Sequence, residues 1–373
     1  MRRIALGIAA LACAALAWAE DGVTPSSVLI GQSAAFSGPA AQLGVQMRDG
    51  AKLWFDHVNA QGGIHGRAIQ LKTRDDKYEA NLAAENTKRL IQDDRVFALF
   101  AYVGTPTSQA SLPIFTEARV PFVAPFTGAE LLRQPFNRYI FNVRASYYDE
   151  TEAIVDHLHR IGARRIAVFH QADSYGQAGL DGTTRALAKR NLKVHATGNV
   201  QRNSNDVAEA VKTLHASQPD AVVMITAYGS TAEFVRQMKK AGSVASFYTV
   251  SFVGSKALAE ALGDEGHGVT ISQVVPFPWS PLTPVVREYL ELAKRASMDV
   301  NFSTLEGFIA ARVFTEGLRR AGKDLTRERF IAAMESMGNL DLGGFGVSFS
   351  STNHSASKFV DLAMIGKGGK FVR

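Results

Sequence analysis

Gly31-Gln32-Ser33-Ala34-Ala35-Phe36-Ser37-Gly38-Pro39 and, further on, Asn59-Ala60-Gln61-Gly62-Gly63-Ile64-His65-Gly66 bracket the stretch whose reading decides the fold. The first segment closes an apolar run over 27–34, the length of one strand. Between the two segments, Gly44, Met47, Ala51, Trp54 and Val58 fall at near-helical spacing, so residues 40–60 form an amphipathic helix with one buried face. Gly62-Gly63 ends it, since glycine accepts the left-handed backbone that terminates helices. Strand, loop and long helix in that order form half of a βαβ unit.

Working outward, the same rhythm repeats along the chain. Apolar runs of strand length occur at 27–34, 68–74, 96–101, 121–125, 139–143, 165–170, 192–198, 220–226, 247–251, 269–275 and 359–365. Helical patterns lie between them at 40–60, 79–93, 107–118, 150–161, 176–190, 204–216, 230–241, 283–296, 304–321 and 326–336. Runs such as Val222-Val223-Met224-Ile225 are apolar throughout, as in parallel strands covered on both faces. Alternation of this kind predicts doubly wound parallel sheets with right-handed crossovers. The pattern restarts near residue 144, and helices dominate after Pro276-Phe277-Pro278. The fold class expected is therefore α/β, with two doubly wound lobes and a chain that crosses between them more than once.

The chain has 373 residues, 46% hydrophobic and 20% charged, enough for two cores of ordinary size. Its first residues differ from the rest. Arg2-Arg3, the apolar run Ile4 to Leu16 and Ala17-Trp18-Ala19 read as a secretory signal peptide cleaved after Ala19. The run is shorter than the ~20 residues that span a bilayer, and no other segment could span one. Cys13 is the only cysteine and falls inside the leader, where it would serve only as a lipid-anchor residue; the mature chain has no disulfide. Without Arg2 and Arg3, 39 basic residues face 35 acidic ones, scattered rather than striped, so a nucleic-acid partner is excluded.

In open parallel sheets, ligands sit outside the carboxyl ends of strands, where strand order reverses. After the third strand comes Gly104-Thr105-Pro106, with Thr105 placed to cap a helix and Pro106 at its first position. After the fourth comes Pro125-Phe126-Thr127-Gly128-Ala129-Glu130, where Thr127 and Glu130 have capping-box spacing. Two capped helix starts in one lobe could turn free N–H groups on a carboxylate without any basic side chain. The second lobe offers Tyr147, Tyr175 and Tyr228 at comparable points, each with an apolar face and a hydroxyl. Catalytic patterns are missing: no nucleophile elbow, phosphate loop or dinucleotide fingerprint follows a strand. Asp75-Asp76 with Glu79 reads as a solvated turn rather than a metal site. No enzyme and no cofactor are expected.

Ser37-Gly38-Pro39, Asp49-Gly50, Asn59 to Gly66, Asp75-Asp76, Tyr175-Gly176 and Ala241-Gly242 together resemble the branched-chain amino-acid binding proteins of ABC importers, which have the type I periplasmic binding fold. The likeness runs over essentially the whole mature chain. It implies a first lobe of 20–142 plus 277–348 and a second of 143–276 plus 349–373, joined by crossovers near 142–145, 273–277 and 348–351. It also implies that the ligand carboxylate is held by the segments of Gly104-Thr105 and Thr127, with the Pro125 carbonyl beside them and Ser37 in the first loop. Aromatic side chains match Tyr175 and Tyr228.

Two departures bear on the ligand. The resemblance places an acid for the ligand ammonium just after the strand Phe247 to Val250, where this chain has Ser251-Phe252-Val253-Gly254. Where an aromatic is expected in the first loop, Leu43 stands and widens the pocket. A carboxylate without an α-ammonium, aromatic or larger, is then as good a ligand as a branched-chain amino acid, and Arg144 either contacts a second anionic group or forms a hinge salt bridge. The function expected is a monomeric periplasmic receptor delivering an amino acid or related small carboxylate to an inner-membrane ABC permease. The alternative is a sensory protein that signals through a partner.

Overall fold

The computed structural model describes residues 20–373, so the expected signal peptide and Cys13 lie outside the described residues. Two separate parallel sheets carry the molecule. The first contains β1 (Ser27–Ala34), β2 (Ala68–Asp75), β3 (Ala98–Phe100), β4 (Phe122–Val123) and β5 (Ile140–Phe141) in the order β2-β1-β3-β4-β5, all parallel. The second is built on β6 (Ile166–Gln171), β7 (Thr197–Val200), β8 (Ala221–Ile225), β9 (Ser246–Thr249) and β10 (Thr270–Gln273). Read from its β7 edge, its order is β7-β6-β8-β9-β10, the same winding as the first sheet. Two later strands extend it: β13 (Asp361–Ile365), antiparallel to β10, and β14 (Phe371–Val372) beyond. The type I periplasmic binding architecture is thus present, one reversal of strand order in each sheet.

The helices follow the apolar pattern. α1 (Ala41–Ala60) buries Leu43, Met47, Ala51, Phe55 and Val58, then ends at Gly62-Gly63. α1 crosses α10 (Phe302–Ala321) at very close range. A Cβ on Gly50 would meet the Thr304 carbonyl oxygen at 1.9 Å, and one on Gly307 the Met47 oxygen at 2.2 Å, so only glycine allows this approach. α2 (Ala80–Gln92), α3 (Thr105–Glu117), α9 (Pro284–Arg295) and α11 (Arg327–Glu335) complete the helices sharing the first core. α4 (Tyr147–Arg160), α5 (Ser174–Ala188), α6 (Ala208–Ala216), α7 (Tyr228–Lys240) and α8 (Ser255–Leu262) surround the second sheet.

Differences from the sequence reading are local. α8 was not expected; nor was the hairpin of β11 (Gly338–Asp341) and β12 (Gly346–Phe349), closed by Gly343 and Gly344 at positive φ. The strand expected over 192–198 pairs regularly only from Thr197, at the sheet edge, where one side of the ladder is open. Three connections cross between the sheets: 142–146 after β5, 274–283 after β10 and 350–360 after β12. The third follows β12, which carries the chain to Phe349. His354 and Ala356 then bond across to Asn142 in the first crossing, with the Asn142 N–H donating to the His354 carbonyl at 2.8 Å.

Candidate ligand-binding site

The carboxyl ends of β3 and β4 place Thr105 and Thr127 side by side, although twenty-two positions separate them. Their hydroxyls are 2.7 Å apart and both side chains are fully buried. α3 begins at Thr105 itself, with Gly104 as its cap at φ 100° and ψ 155°, so the expectation that Thr105 is the cap is off by one residue. Gly104 takes the positive φ at which the chain turns into the helix, and Pro106 falls at the second helical position rather than the first. The Thr127 expectation needs a larger correction. No α-helix follows it, only a single 3₁₀ turn at Glu130–Leu132, and the Thr127 hydroxyl accepts the Ala129 N–H at 3.3 Å. One helix start and one turn therefore converge here, not two helix starts.

The second sheet answers from the opposite side. The Thr127 hydroxyl donates to the Tyr147 hydroxyl at 3.2 Å, and the Tyr147 N–H donates to the Gly128 carbonyl at 2.7 Å. Tyr147 opens α4 behind a Ser146–Asp149 capping box, which fixes its direction. Burial pushes its hydroxyl up to about 12, so it stays protonated. Tyr175 opens α5, held by the Asp173 carboxylate, which accepts the Tyr175 N–H at 2.9 Å. Its ring lies 5.4 Å from that of Tyr147 and 4.6 Å from that of Phe252, and its hydroxyl is buried without a hydrogen-bond partner.

Phe126 and Phe252 face one another at 5.5 Å, and Tyr78 lies 5.9 Å from Phe252. Pro125 is buried in the same loop as Phe126. Arg144 sits over the Phe126 ring at 4.9 Å and is 2% exposed. Its Nη2 donates to Glu150 at 3.4 Å and to the Ser251 hydroxyl, and its Nε faces a Glu306 oxygen at 3.5 Å. Glu150 also accepts the Ser251 N–H at 2.8 Å and the Ser272 hydroxyl at 2.6 Å. Burial works against the Arg144 charge, but Glu306 and Glu150 outweigh it and hold its pKa above the usual arginine value. Burial pushes Glu306 up to about 7 against the pull of Arg144.

Not every expected residue joins this cluster. Ser37 is exposed, and both its N–H and its hydroxyl donate to the Asp75 carboxylate, anchoring the first loop. Leu43 is buried on α1 with its methyl group against Gly254. Tyr228 is half-buried at the start of α7, beside the same Gly254 and near the backbone of Gln42. The expected solvated turn is half right. Asp75 accepts loop amides, but Asp76 is fully buried, bonded to the Ser33 hydroxyl at 2.7 Å.

Sequence reasoning missed Tyr78, Phe252, Gln171, Glu150 and Glu306. Gln171 Nε2 donates to the Tyr78 hydroxyl across the cleft at 3.3 Å. Phe252 stood inside Ser251-Phe252-Val253-Gly254, a stretch read only for its lack of an acid. Among the described residues no group of three or more His, Cys, Asp or Glu could hold a metal ion. No described helix is long and apolar enough to cross a membrane.

A sequence model of the periplasmic binding protein family matches residues 27–370. The chain belongs to that family. A possible leucine/isoleucine/valine-binding protein from Rhodopirellula baltica SH 1 superimposes with a TM-score of 0.90 at 33% identity, covering 94% of this chain and 97% of that one. Leu/Ile/Val-binding protein homolog 7 of Brucella abortus (strain 2308) is 26% identical over 375 residues, spanning 94% of this chain and 91% of its own. An amino acid binding protein of Pseudomonas aeruginosa is 26% identical over 241 residues, 64% of each chain.

Proposed function

We propose that this chain is a monomeric receptor of the periplasm, exported with its leader removed after Ala19, which captures a small carboxylate between two lobes and delivers it to an inner-membrane ABC permease. The lobes, 20–142 with 277–348 and 143–276 with 349–373, close on the ligand by bending at the three crossings. No bond is made or broken and no cofactor takes part. Binding favours the closed arrangement, and the permease reads that arrangement.

The observation that carries this reading is the Thr105–Thr127 hydroxyl pair, 2.7 Å apart at the start of α3 and roofed by Tyr147 of the other lobe. Hydroxyls and the free N–H groups of a helix start suit a carboxylate. Tyr147, Tyr175, Phe126 and Phe252 suit an apolar body.

The test is a thermal-shift screen of the mature protein against amino acids and their des-amino carboxylates. A ligand at a hundred times its Kd stabilises the native state by about 2.7 kcal/mol, readily seen as a rise in Tm. Thr127→Val keeps the shape but removes the hydroxyl. A hydrogen bond to a charged group is worth about 1.5–3 kcal/mol, so affinity should fall at least tenfold. If no small carboxylate or amino acid raises Tm, the receptor reading fails; if Thr127→Val binds like the wild type, the site lies elsewhere.

A further inference from the structure

The acids around the cleft are already engaged. Glu150 accepts from Ser251, Ser272 and Arg144. Asp173 accepts the Tyr175 and Gly176 amides and the Gln171 side chain. Glu79 accepts from Arg202 and Asn203. Asp76 takes the Ser33 hydroxyl and the Tyr78 N–H. The Glu306 carboxylate faces Arg144 Nε at 3.5 Å. None of these groups offers a spare full charge to an incoming ammonium.

The unsatisfied atoms point the other way. Within the cluster formed by Thr105, Thr127, Tyr147, Tyr175, Phe126, Phe252, Ser251 and Arg144, the buried polar atoms without a hydrogen-bond partner are Arg144 Nε, Arg144 Nη1 and the Tyr175 hydroxyl. A guanidinium has five N–H groups; here Nη2 is hydrogen-bonded and Nε faces Glu306 at 3.5 Å, which leaves Nη1 without an acceptor. Arg133 does not compete for the same space, because its two terminal nitrogens donate to the carbonyls of Ala129 and Arg144. A buried donor without an acceptor is costly, and a ligand oxygen would complete the Nη1 shell.

We propose that Arg144, aided by the Tyr175 hydroxyl, determines ligand specificity by meeting the negatively charged end of the ligand, so that the receptor selects a small apolar carboxylic acid lacking an α-ammonium over the corresponding amino acid. The proposal rests on the receptor reading above and names its ligand class. An ammonium drawn into the same dry space would lie beside the guanidinium with no free carboxylate to offset the repulsion. A carboxylate instead supplies the acceptors that Nη1 and Tyr175 lack, while the Phe126 and Phe252 rings receive its apolar body.

The test is calorimetric titration of the mature wild-type protein with two matched pairs: leucine against 4-methylpentanoate, and phenylalanine against 3-phenylpropanoate. The des-amino acid is expected to bind at least tenfold more tightly in any pair that binds. Arg144→Gln should abolish that preference, and Arg144→Lys, which keeps the charge, should retain it. Because Arg144→Gln strands Glu150 and Glu306, the double variant Arg144→Gln/Glu306→Gln relieves the site if the single one does not fold. A preference below tenfold, or one for the amino acid, overturns the inference and leaves the receptor reading standing. Silence from all four ligands, together with a flat thermal-shift screen, removes both.

Discussion

Replacing Gly104 by alanine should damage this protein more than its small size suggests. Gly104 holds φ 100° and ψ 155°, a region essentially reserved for glycine, and a side chain there costs about 1–3 kcal/mol. The new Cβ would also stand 2.2 Å from Cε2 of Tyr78 and 3.0 Å from the Thr107 hydroxyl. Tyr78 cannot swing aside freely. It is fully buried, with its hydroxyl on Gln171 and its ring against Phe252, both from the other lobe. Overpacking of this kind adds about 1–3 kcal/mol, for a total near 4 kcal/mol. Gly162→Ala is the matched control: φ is +90°, but nothing lies within 4 Å, so it carries only the backbone cost of about 1–2 kcal/mol. Urea unfolding of the two variants with unchanged m-values isolates the crowding as their difference, about 2 kcal/mol. Ligand affinity should fall in Gly104→Ala alone, because the Thr105 N–H moves with the loop. Equal destabilisation in the two variants, with wild-type affinity in both, would refute the claim that this loop is clamped against Tyr78.

Two further perturbations test the electrostatics. Burial pushes the Asp76 carboxyl up to about 7 from an unfolded value of 3.8, so the native state binds its proton more tightly than the unfolded chain. The stability this group contributes is complete below about pH 3.8 and disappears as pH rises through 7. Asp76→Asn cannot lose it, so the variant should gain on the wild type across that window, by up to about 4 kcal/mol; a pH-independent difference in unfolding free energy would contradict this. Arg202 donates to Glu79 at 2.8 Å and pairs with Asp173 at 3.3 Å, joining the two sides of the cleft. A partly exposed pair is worth about 1 kcal/mol, so Arg202→Ala should weaken ligand binding about fivefold and raise the radius of gyration of the ligand-free protein in solution scattering. Unchanged affinity and scattering would show that the latch has no part in closure.

The alternation of strand and helix was legible because parallel strands covered on both faces must be apolar, and Val222 to Ile225 could be little else. Thr105 and Thr127 were legible for the same reason: they follow such runs directly, with a proline or a small residue beside them. What lay beyond reach depended on long-range company. Arg144 takes its environment from Glu150, Ser251 and Glu306, on three separate elements, and nothing in the local sequence of any of them marks the association. Tyr78 and Phe252 are aromatics in turns, and a turn does not disclose whether its ring faces solvent or a second lobe. Ser37 erred in the opposite sense. It belongs to a stretch that resembles the family closely, yet its hydroxyl serves Asp75. α8 escaped notice because its eight residues follow a 3₁₀ turn and Gly254 at positive φ, without a side-chain cap to announce them.

The most direct measurement is a crystal structure of the mature protein with the tightest-binding carboxylate from the screen. The carboxylate should lie within hydrogen-bonding distance of the Thr105 and Thr127 hydroxyls and the first N–H groups of α3, on the side that faces Arg144 and Tyr175, with its apolar body between Phe126 and Phe252 and the lobes closed. Density for the ligand outside the cleft, for instance in the surface groove lined by Phe277, Trp279 and Phe371, with the two threonine hydroxyls still bonded to each other and not to the ligand, would contradict the account.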